Sequence, residues 1–444
     1  MTDIPPIKAI PGTYSKFTTL PKYSKFNDSS MCMLPFMHLH TWPSGKVFPC
    51  CVWNSRVPVG NQNENTLEEI FNNENMQEVR KQMINGEPPA PCYRCFQQES
   101  QGIQSLRVTA NDRHRQHEHL IHEAEKNNYK VKDFNLYYWD FRIDNLCNMA
   151  CRSCGPELSS LWHNDHYALY RDRYIADNKK GLIRSNKDQL NQIIDIVNKN
   201  INDVERVYFA GGEPLINDMH YYILDRLIKA KRFDCHIYYN TNLSVLHYKK
   251  YDLIEMWNNF DSRPKKNIEI AASLDAIGPK AEYIRHGQKW NKIEKNIKKI
   301  LETPNLRFMI TPVISIFNIM HLPDYLDYFI LDCHMLHHDI MLGNVLTEPT
   351  WYHIASLPEH LKIKVRKLFA EYLENRKNTF NKATLDDISH KFNSILQYMD
   401  MNIGDESLLM ADGTKWFINI TTKLDTVRGQ DFTKTFPELA CLLN

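Results

Sequence analysis

No uninterrupted apolar stretch in this chain approaches the ~18 residues of a membrane-spanning helix. The leading MTDIPPIKAIPGTYSKF also lacks the apolar core of a secretory signal. A membrane protein is therefore not expected, and the expected location is cytoplasmic. Charge of one sign is missing as well, with 54 Lys plus Arg against 53 Asp plus Glu. No global field gathers nucleic acid, and no local basic patch replaces it, so no nucleic-acid partner is expected. Cysteine is too sparse for a disulfide scaffold, at 11 in 444 residues. In a reducing compartment, closely spaced cysteines then point to metal or catalysis. Internal repeats and low-complexity segments are absent, and a 43% hydrophobic content is enough for an ample core.

What is present is unevenly placed. Cys32, Cys50, Cys51, Cys92, Cys95, Cys147, Cys151 and Cys154 crowd the first third, while Cys235, Cys333 and Cys441 stand alone and read as ordinary buried thiols. Residues 1–112 mix Pro, Gly and Asn turns with short apolar runs and one helix from Thr66 to Met83, as expected of a small cysteine-rich domain. Residues 113–132 are polar and read as a solvated linker helix. His114, His117, His119 and His122 fall there, and a solvated face explains them better than a metal site.

From residue 133 to 376 strand-like runs alternate with helical periodicity. The runs are NLYYWDFRI, VERVYFA, CHIYYNT, IEIAASL, LRFMITPVISI and DIMLGNVL. Helical stretches include Asp218 to Lys231, Lys280 to Glu302 and Leu322 to Leu331. Strand followed by helix, repeated, means parallel strands with crossover helices. About six such units are too few for a closed eight-stranded barrel, so the expectation is an α/β partial (β/α)6 TIM-like barrel. Residues 377–444 form a C-terminal helical tail.

The chemistry begins at LCNMACRSCGP, where Cys147, Cys151 and Cys154 follow the first barrel strand with C-x3-C-x2-C spacing. Three thiolates can ligate one face of an iron–sulfur cluster, or zinc with a fourth ligand from elsewhere. Ala210-Gly211-Gly212-Glu213-Pro214 ends the second strand on the same C-terminal rim. Paired glycines admit close backbone approach, and the carboxylate can receive an ammonium group.

In this order and on successive strands, these residues resemble the radical S-adenosylmethionine (SAM) superfamily. The resemblance implies a 4Fe–4S cluster on Cys147, Cys151 and Cys154, whose open iron is chelated by SAM, with Gly211, Gly212 and Glu213 on the methionine amino group. It places Ser273 and Asp275 at the ribose and methionyl part, and Arg285 on the carboxylate. Thr241 and Asn242 close the third strand without an assigned role. Ser153 stands where family loops carry an aromatic residue, so no adenine contact is assigned. No catalytic residue is assigned either. Cys32, Gly45 and Cys50, followed by Cys92 and Cys95, are similar to the twitch domain, a half-size relative of the SPASM domain. That likeness implies a second, auxiliary 4Fe–4S cluster, with Cys50 preferred to Cys51 by its spacing from Gly45 and a four-cysteine zinc site as the alternative. In the family such a domain usually follows the barrel; here it precedes it.

The implied activity is reductive SAM cleavage to a 5′-deoxyadenosyl radical that abstracts hydrogen from a peptide side chain or small molecule. An electron donor such as a flavodoxin or ferredoxin is the implied partner, and the auxiliary cluster suits a net oxidation. The alternatives are radical group transfer, or a non-catalytic zinc or iron–sulfur binding protein.

Overall fold

A computed structural model describes residues 30–100, 104–170, 187–260, 267–401 and 408–443. The N-terminal run read above for targeting lies outside them. The strands are β1 (His38–Thr41), β2 (Lys46–Phe48), β3 (Gly60–Asn61), β4 (Tyr138–Phe141), β5 (Ala150–Cys151), β6 (Arg206–Phe209), β7 (His236–Thr241), β8 (His247–Tyr248), β9 (Tyr251–Asp252), β10 (Ile268–Ala272), β11 (Arg285–His286) and β12 (Leu306–Ile310). Among the described residues no helix is long and apolar enough to cross a membrane. Parallel strands with intervening helices make this the partial TIM-like α/β fold expected from the periodicity, with a cysteine-rich N-terminal region and C-terminal helices.

One compact unit comprises Met1–Asp144, Arg184–Gly211 and Met219–Ile237, within the described residues. Its strand order is β6-β4-β1-β2-β3. Strand β1, from the cysteine-rich region, lies parallel to the first barrel strand β4, in register from His38↔Tyr138 to Thr41↔Phe141. Both strands are buried at every residue, as parallel strands covered on both faces are. Strand β4 in turn runs parallel to β6, where Val207 and Phe209 alternate with half-buried Arg206 and Tyr208.

The expected helix over Thr66–Met83 is two helices, Leu67–Phe71 and Glu74–Ile84. Thr66 and Glu69 form a capping box on the first, and the Asn73 side chain accepts from the Met76 N–H to start the second. Asparagine competes for backbone groups, so the Asn72-Asn73 pair breaks an otherwise helical run. Between these helices and the chain around them lies Arg80, fully buried. Its guanidinium donates to the carbonyls of Pro35, Phe71 and Tyr129 and to Asn72 Oδ1, and it packs against the Phe71 ring at 4.6 Å. Burial pulls its pKa down to about 9.

The histidine run differs from the solvated face expected of it. His114 and His117 are buried, both beside Glu205, with His117 Nε2 2.9 Å from Glu205 Oε1. His119 is exposed and His122 half-buried. Burial alone would raise the Glu205 carboxyl, but hydrogen bonds from His114 and His117 outweigh it and hold it down at about 2. The i, i+3 spacing turned these two rings toward a partner that lies 88 positions away from His117.

The other unit comprises Asn145–Ile183, Gly212–Asp218 and Tyr238–Asn444, within the described residues. Strands β10 and β12 pair in parallel from Ile268↔Leu306 to Ala272↔Ile310, and the Ser273 N–H donates to Thr241 O at the end of β7. The sixth strand-like run forms isolated parallel bridges at Ile340 and Val345. The expected helix Lys280–Glu302 divides into Gly278–Ile284 and Trp290–Leu301 around β11 and Gly287, whose φ of 98° no helix accommodates. In the tail, helices Glu359–Asn375 and Lys382–Met399 pack through stacked Phe369 and Phe392, centroids 3.9 Å apart. Of the three isolated cysteines, only Cys235 is the buried thiol expected. Cys333 is half-buried, and Cys441 is exposed, with its sulfur 3.6 Å from His360 Nε2.

Replacing Arg80 by Met should destabilise the protein by about 3 kcal/mol or more, because the carbonyls it serves stay buried without donors. Urea denaturation followed by tryptophan fluorescence checks this; an unchanged midpoint would show that the hub is dispensable.

Candidate iron–sulfur and S-adenosylmethionine site

The cysteine loop is held as a strand. Strand β5 pairs antiparallel with β11, placing Cys151 opposite Arg285, and the Arg152 N–H donates to Ile284 O at 2.8 Å. Trp162 Nε1 donates to Cys151 O at 2.7 Å, and the Cys154 N–H donates to Cys151 O at 3.0 Å. The three thiols resist ionisation while no cation balances them. Burial and the charge of Cys151 push Cys154 up to about 12, and burial with the charges of Cys151 and Glu213 pushes Cys147 higher still. For Cys151 burial also dominates, partly offset by Arg285.

The glycine turn touches this loop by backbone alone. A Cβ on Gly212 would stand 2.1 Å from Leu146 O and 2.7 Å from Leu146 C, so only glycine fits. The next residue donates its N–H to that same Leu146 oxygen at 2.7 Å. Gly211 has a φ of 126°, in the region that glycine alone adopts readily. The Glu213 carboxylate is buried and receives the Thr241 hydroxyl at 2.6 Å, the Asn242 N–H at 2.7 Å and the Leu215 N–H at 3.1 Å. Burial holds it up at about 7 against those donors. Thr241 and Asn242, left without a role by the sequence, are thus the partners of Glu213. Asn242 Nδ2 also donates to Asn148 Oδ1, inside the cysteine loop, at 2.9 Å.

Asp275 and Arg285 lie together. Their side chains make a buried two-point ion pair, Nη2 to Oδ1 and Nε to Oδ2, each at 2.9 Å. Arg285 Nη1 reaches Cys151 Sγ at 3.5 Å, and the Val313 N–H donates to Asp275 Oδ1 at 2.8 Å. Arg285 is therefore a buried charge beside a ligand-type thiol, not a surface salt bridge, and Asp275 is not a helix cap. Ser273 sits at the end of β10 and is tied to β7 through its backbone.

In the cysteine-rich region Cys32, Cys50, Cys92 and Cys95 line one cavity together with Leu34, Trp53 and Arg107. Cys51 is outside that lining, and burial and Asp140 raise its thiol to about 12, with Arg142 opposing and Cys95 adding to the rise. These thiols repel one another as thiolates: the Cys50 thiol is raised by burial, then by Cys51, Cys95, Cys92 and Cys32. Among the described residues no three His, Cys, Asp or Glu side chains converge closely enough to chelate a single ion.

The comparisons agree with this chemistry. The SPASM iron–sulfur cluster-binding domain matches residues 32–96, and the radical SAM superfamily matches residues 142–328. The chain thus carries a radical SAM domain with a SPASM-like domain N-terminal to it. No curated protein matches it. As a radical SAM enzyme with a SPASM domain it uses iron–sulfur clusters and SAM, and needs a reductant.

Gly212→Ala should force the turn away from Leu146 and cost about 3 kcal/mol of stability. Gly155→Ala, in the same loop region with open space where its Cβ would stand, should be close to neutral. Equal melting temperatures for the two variants would rule out the close approach as a constraint.

Proposed function

We propose that this enzyme reductively cleaves SAM at a 4Fe–4S cluster on Cys147, Cys151 and Cys154, and oxidises or otherwise modifies a peptide side chain or small molecule. An auxiliary 4Fe–4S cluster on Cys32, Cys50, Cys92 and Cys95 assists. The observation that carries this reading is the backbone junction of Gly212 and Glu213 with the cysteine loop at Leu146. It joins the two motifs into one site on residues the radical SAM match covers. Bound there, cluster and SAM supply one-electron chemistry that no side chain can.

The chain's own contribution is placement and charge. Glu213 is aimed by Thr241, Asn242 and Leu215, so its carboxylate needs no rearrangement to accept the methionine ammonium. Arg285, held by Asp275, offers a fixed cation next to the thiolates and to the methionine carboxylate. Gly211 keeps that approach free of side-chain bulk.

Anaerobic reconstitution followed by iron and sulfide counting should find two 4Fe–4S clusters, and 5′-deoxyadenosine should form with reductant and SAM. Replacing Cys147, Cys151 and Cys154 by Ala should remove one cluster and leave the other. Stoichiometric zinc without iron would defeat the reading.

A second expectation follows from Glu213. Its folded-state pKa is raised from 4.5 to about 7, so its protonated form favours the fold. That contribution is complete below the unfolded value and is lost as pH rises through about 7. The SAM ammonium offsets the exposed cost by pairing with the carboxylate. SAM affinity should therefore rise from about pH 6 to about pH 7.5 in the wild type and stay level in Glu213→Gln, which should also bind more weakly by about 1.5 to 3 kcal/mol. Calorimetry at the two pH values decides it; identical profiles would separate Glu213 from SAM.

A further inference from the structure

The three-cysteine loop nears solvent beside one glycine. Gly287 is exposed, and a Cβ on it would stand 2.7 Å from Asn148 O, 3.4 Å from Met149 Cα and 3.5 Å from a Leu161 methyl. Asn148 follows Cys147 directly, and both are half-buried. Leu161 is 42% exposed, a large apolar side chain at the same opening. Electron transfer weakens steeply with distance, so a carrier that serves this loop has to sit where the loop comes closest to solvent.

The helix that follows Gly287, Trp290–Leu301, supplies charge at that place. It carries Lys292, Lys295, Lys298 and Lys299, with Lys289 as its N-cap, and all five are exposed while Ile293, Ile297 and Ile300 are buried. Lys298 and Lys299 stand in the last turn, where the helix dipole favours cations. Lys289 and Lys292 stand at the opposite end, where it favours anions, and Lys289 makes no side-chain cap. Helix stability therefore does not account for them. Lys289 and Lys292 share a stripe with Asn296, seven and four positions on, and Asn296 Nδ2 donates to Leu243 O at 2.8 Å. The residue before Leu243 is Asn242, which bonds both Glu213 and Asn148, so the stripe lies on the side of the helix turned toward the SAM site. The nearby carboxylates are engaged elsewhere: Glu294 accepts from the Tyr328 hydroxyl, Glu282 from the Trp290 N–H, and Asp252 lies 3.7 Å from Lys299. Among the described residues Lys289, Lys292 and Lys295 are in no ion pair.

We propose that Leu161, Gly287 and the lysines Lys289, Lys292 and Lys295 form the docking surface for the reductant, a small acidic one-electron carrier protein of the flavodoxin kind. An apolar centre with a charged rim is the build of such an interface, and an uncompensated basic rim selects an acidic partner. One electron leaves the flavin hydroquinone, which becomes the semiquinone, and enters the oxidised cluster; no bond forms or breaks. The proposal rests on the assignment of that cluster to Cys147, Cys151 and Cys154.

The test uses the full-length, anaerobically reconstituted protein with two reductants, dithionite and flavodoxin hydroquinone. Dithionite needs no docking surface and reports the parent assignment, so a wild type that forms no 5′-deoxyadenosine with dithionite and SAM would overturn both readings. The combined variant Lys289→Glu, Lys292→Glu, Lys295→Glu should keep the wild-type dithionite yield and SAM affinity. Its affinity for flavodoxin by calorimetry, and the rate at which flavodoxin bleaches the cluster absorbance, should each fall about tenfold or more at low salt, and the gap should close as salt is added. Glutamate suits the start of a helix, so this variant should melt no lower than wild type. Should it fail to fold, Lys289→Gln, Lys292→Gln, Lys295→Gln should show a smaller loss in the same direction. A control, Lys364→Glu, Lys367→Glu, Lys377→Glu, makes the same change in net charge at exposed positions elsewhere and should behave as wild type. Equal losses in the control, an undiminished flavodoxin rate in the first variant, or a wild type that dithionite reduces but neither flavodoxin nor ferredoxin does, would overturn the proposal and leave the parent assignment standing.

Discussion

Everything at the site depends on one close approach between backbones. Leu146 O stands where a side chain on Gly212 would have to be, and it accepts the N–H of Glu213. The residue after Leu146 is the first cysteine of the loop, and the residue after Gly212 carries the buried carboxylate. A displacement of a few tenths of an ångström at this junction therefore moves Cys147 and Glu213 together. The other contacts reinforce the same junction: Asn242 bonds Glu213 with its backbone and Asn148 with its side chain, and Arg285 spans Asp275 and Cys151.

Charge is treated in a consistent way around the thiols. Each buried guanidinium near the loop has a carboxylate of its own: Arg285 has Asp275, Arg152 has Asp425 and Arg428 has Asp165. Such pairs are weak stabilisers, because desolvation cancels much of their attraction. Their value here lies in direction. Arg285 places a cation at a fixed point 3.5 Å from Cys151 Sγ, with Asp275 bound to it. Burial holds Cys147, Cys151 and Cys154 against ionisation, and Arg285 lowers that resistance at Cys151 and Cys154.

The parts of the site that could be read from the sequence are those in which chemistry and spacing are local. Cys147, Cys151 and Cys154 within eight positions and the paired glycines before a glutamate meet through Leu146, and Cys32, Cys50, Cys92 and Cys95 line one cavity. The spacing from Gly45 prefers Cys50 to Cys51, and of the two it is Cys50 that lines the cavity. Thr241 and Asn242 were unreadable as partners of Glu213 because the link crosses from one strand end to another, 28 and 29 positions away. Arg152 meets Asp425 across 273 positions, and no periodicity carries that signal. The buried His114 and His117 were misread for the opposite reason. A polar run looks solvated until its partner, Glu205, is brought beside it.

The parallel pairing of β1 with β4 also dictates an order of events. A chain made from its N-terminus produces His38 long before Tyr138, which sits 100 positions later. One edge of β1 can be covered at once by its antiparallel neighbour β2, while the other stays open until the first barrel strand exists. Closing so long a loop is slow compared with forming a local hairpin. All four thiols of the cysteine-rich cavity are in hand by residue 95, before that strand is synthesised. The cysteine-rich segment thus has these four thiols in place while its sheet edge is still waiting, and the nascent chain is most vulnerable to pairing with another copy of itself over that interval.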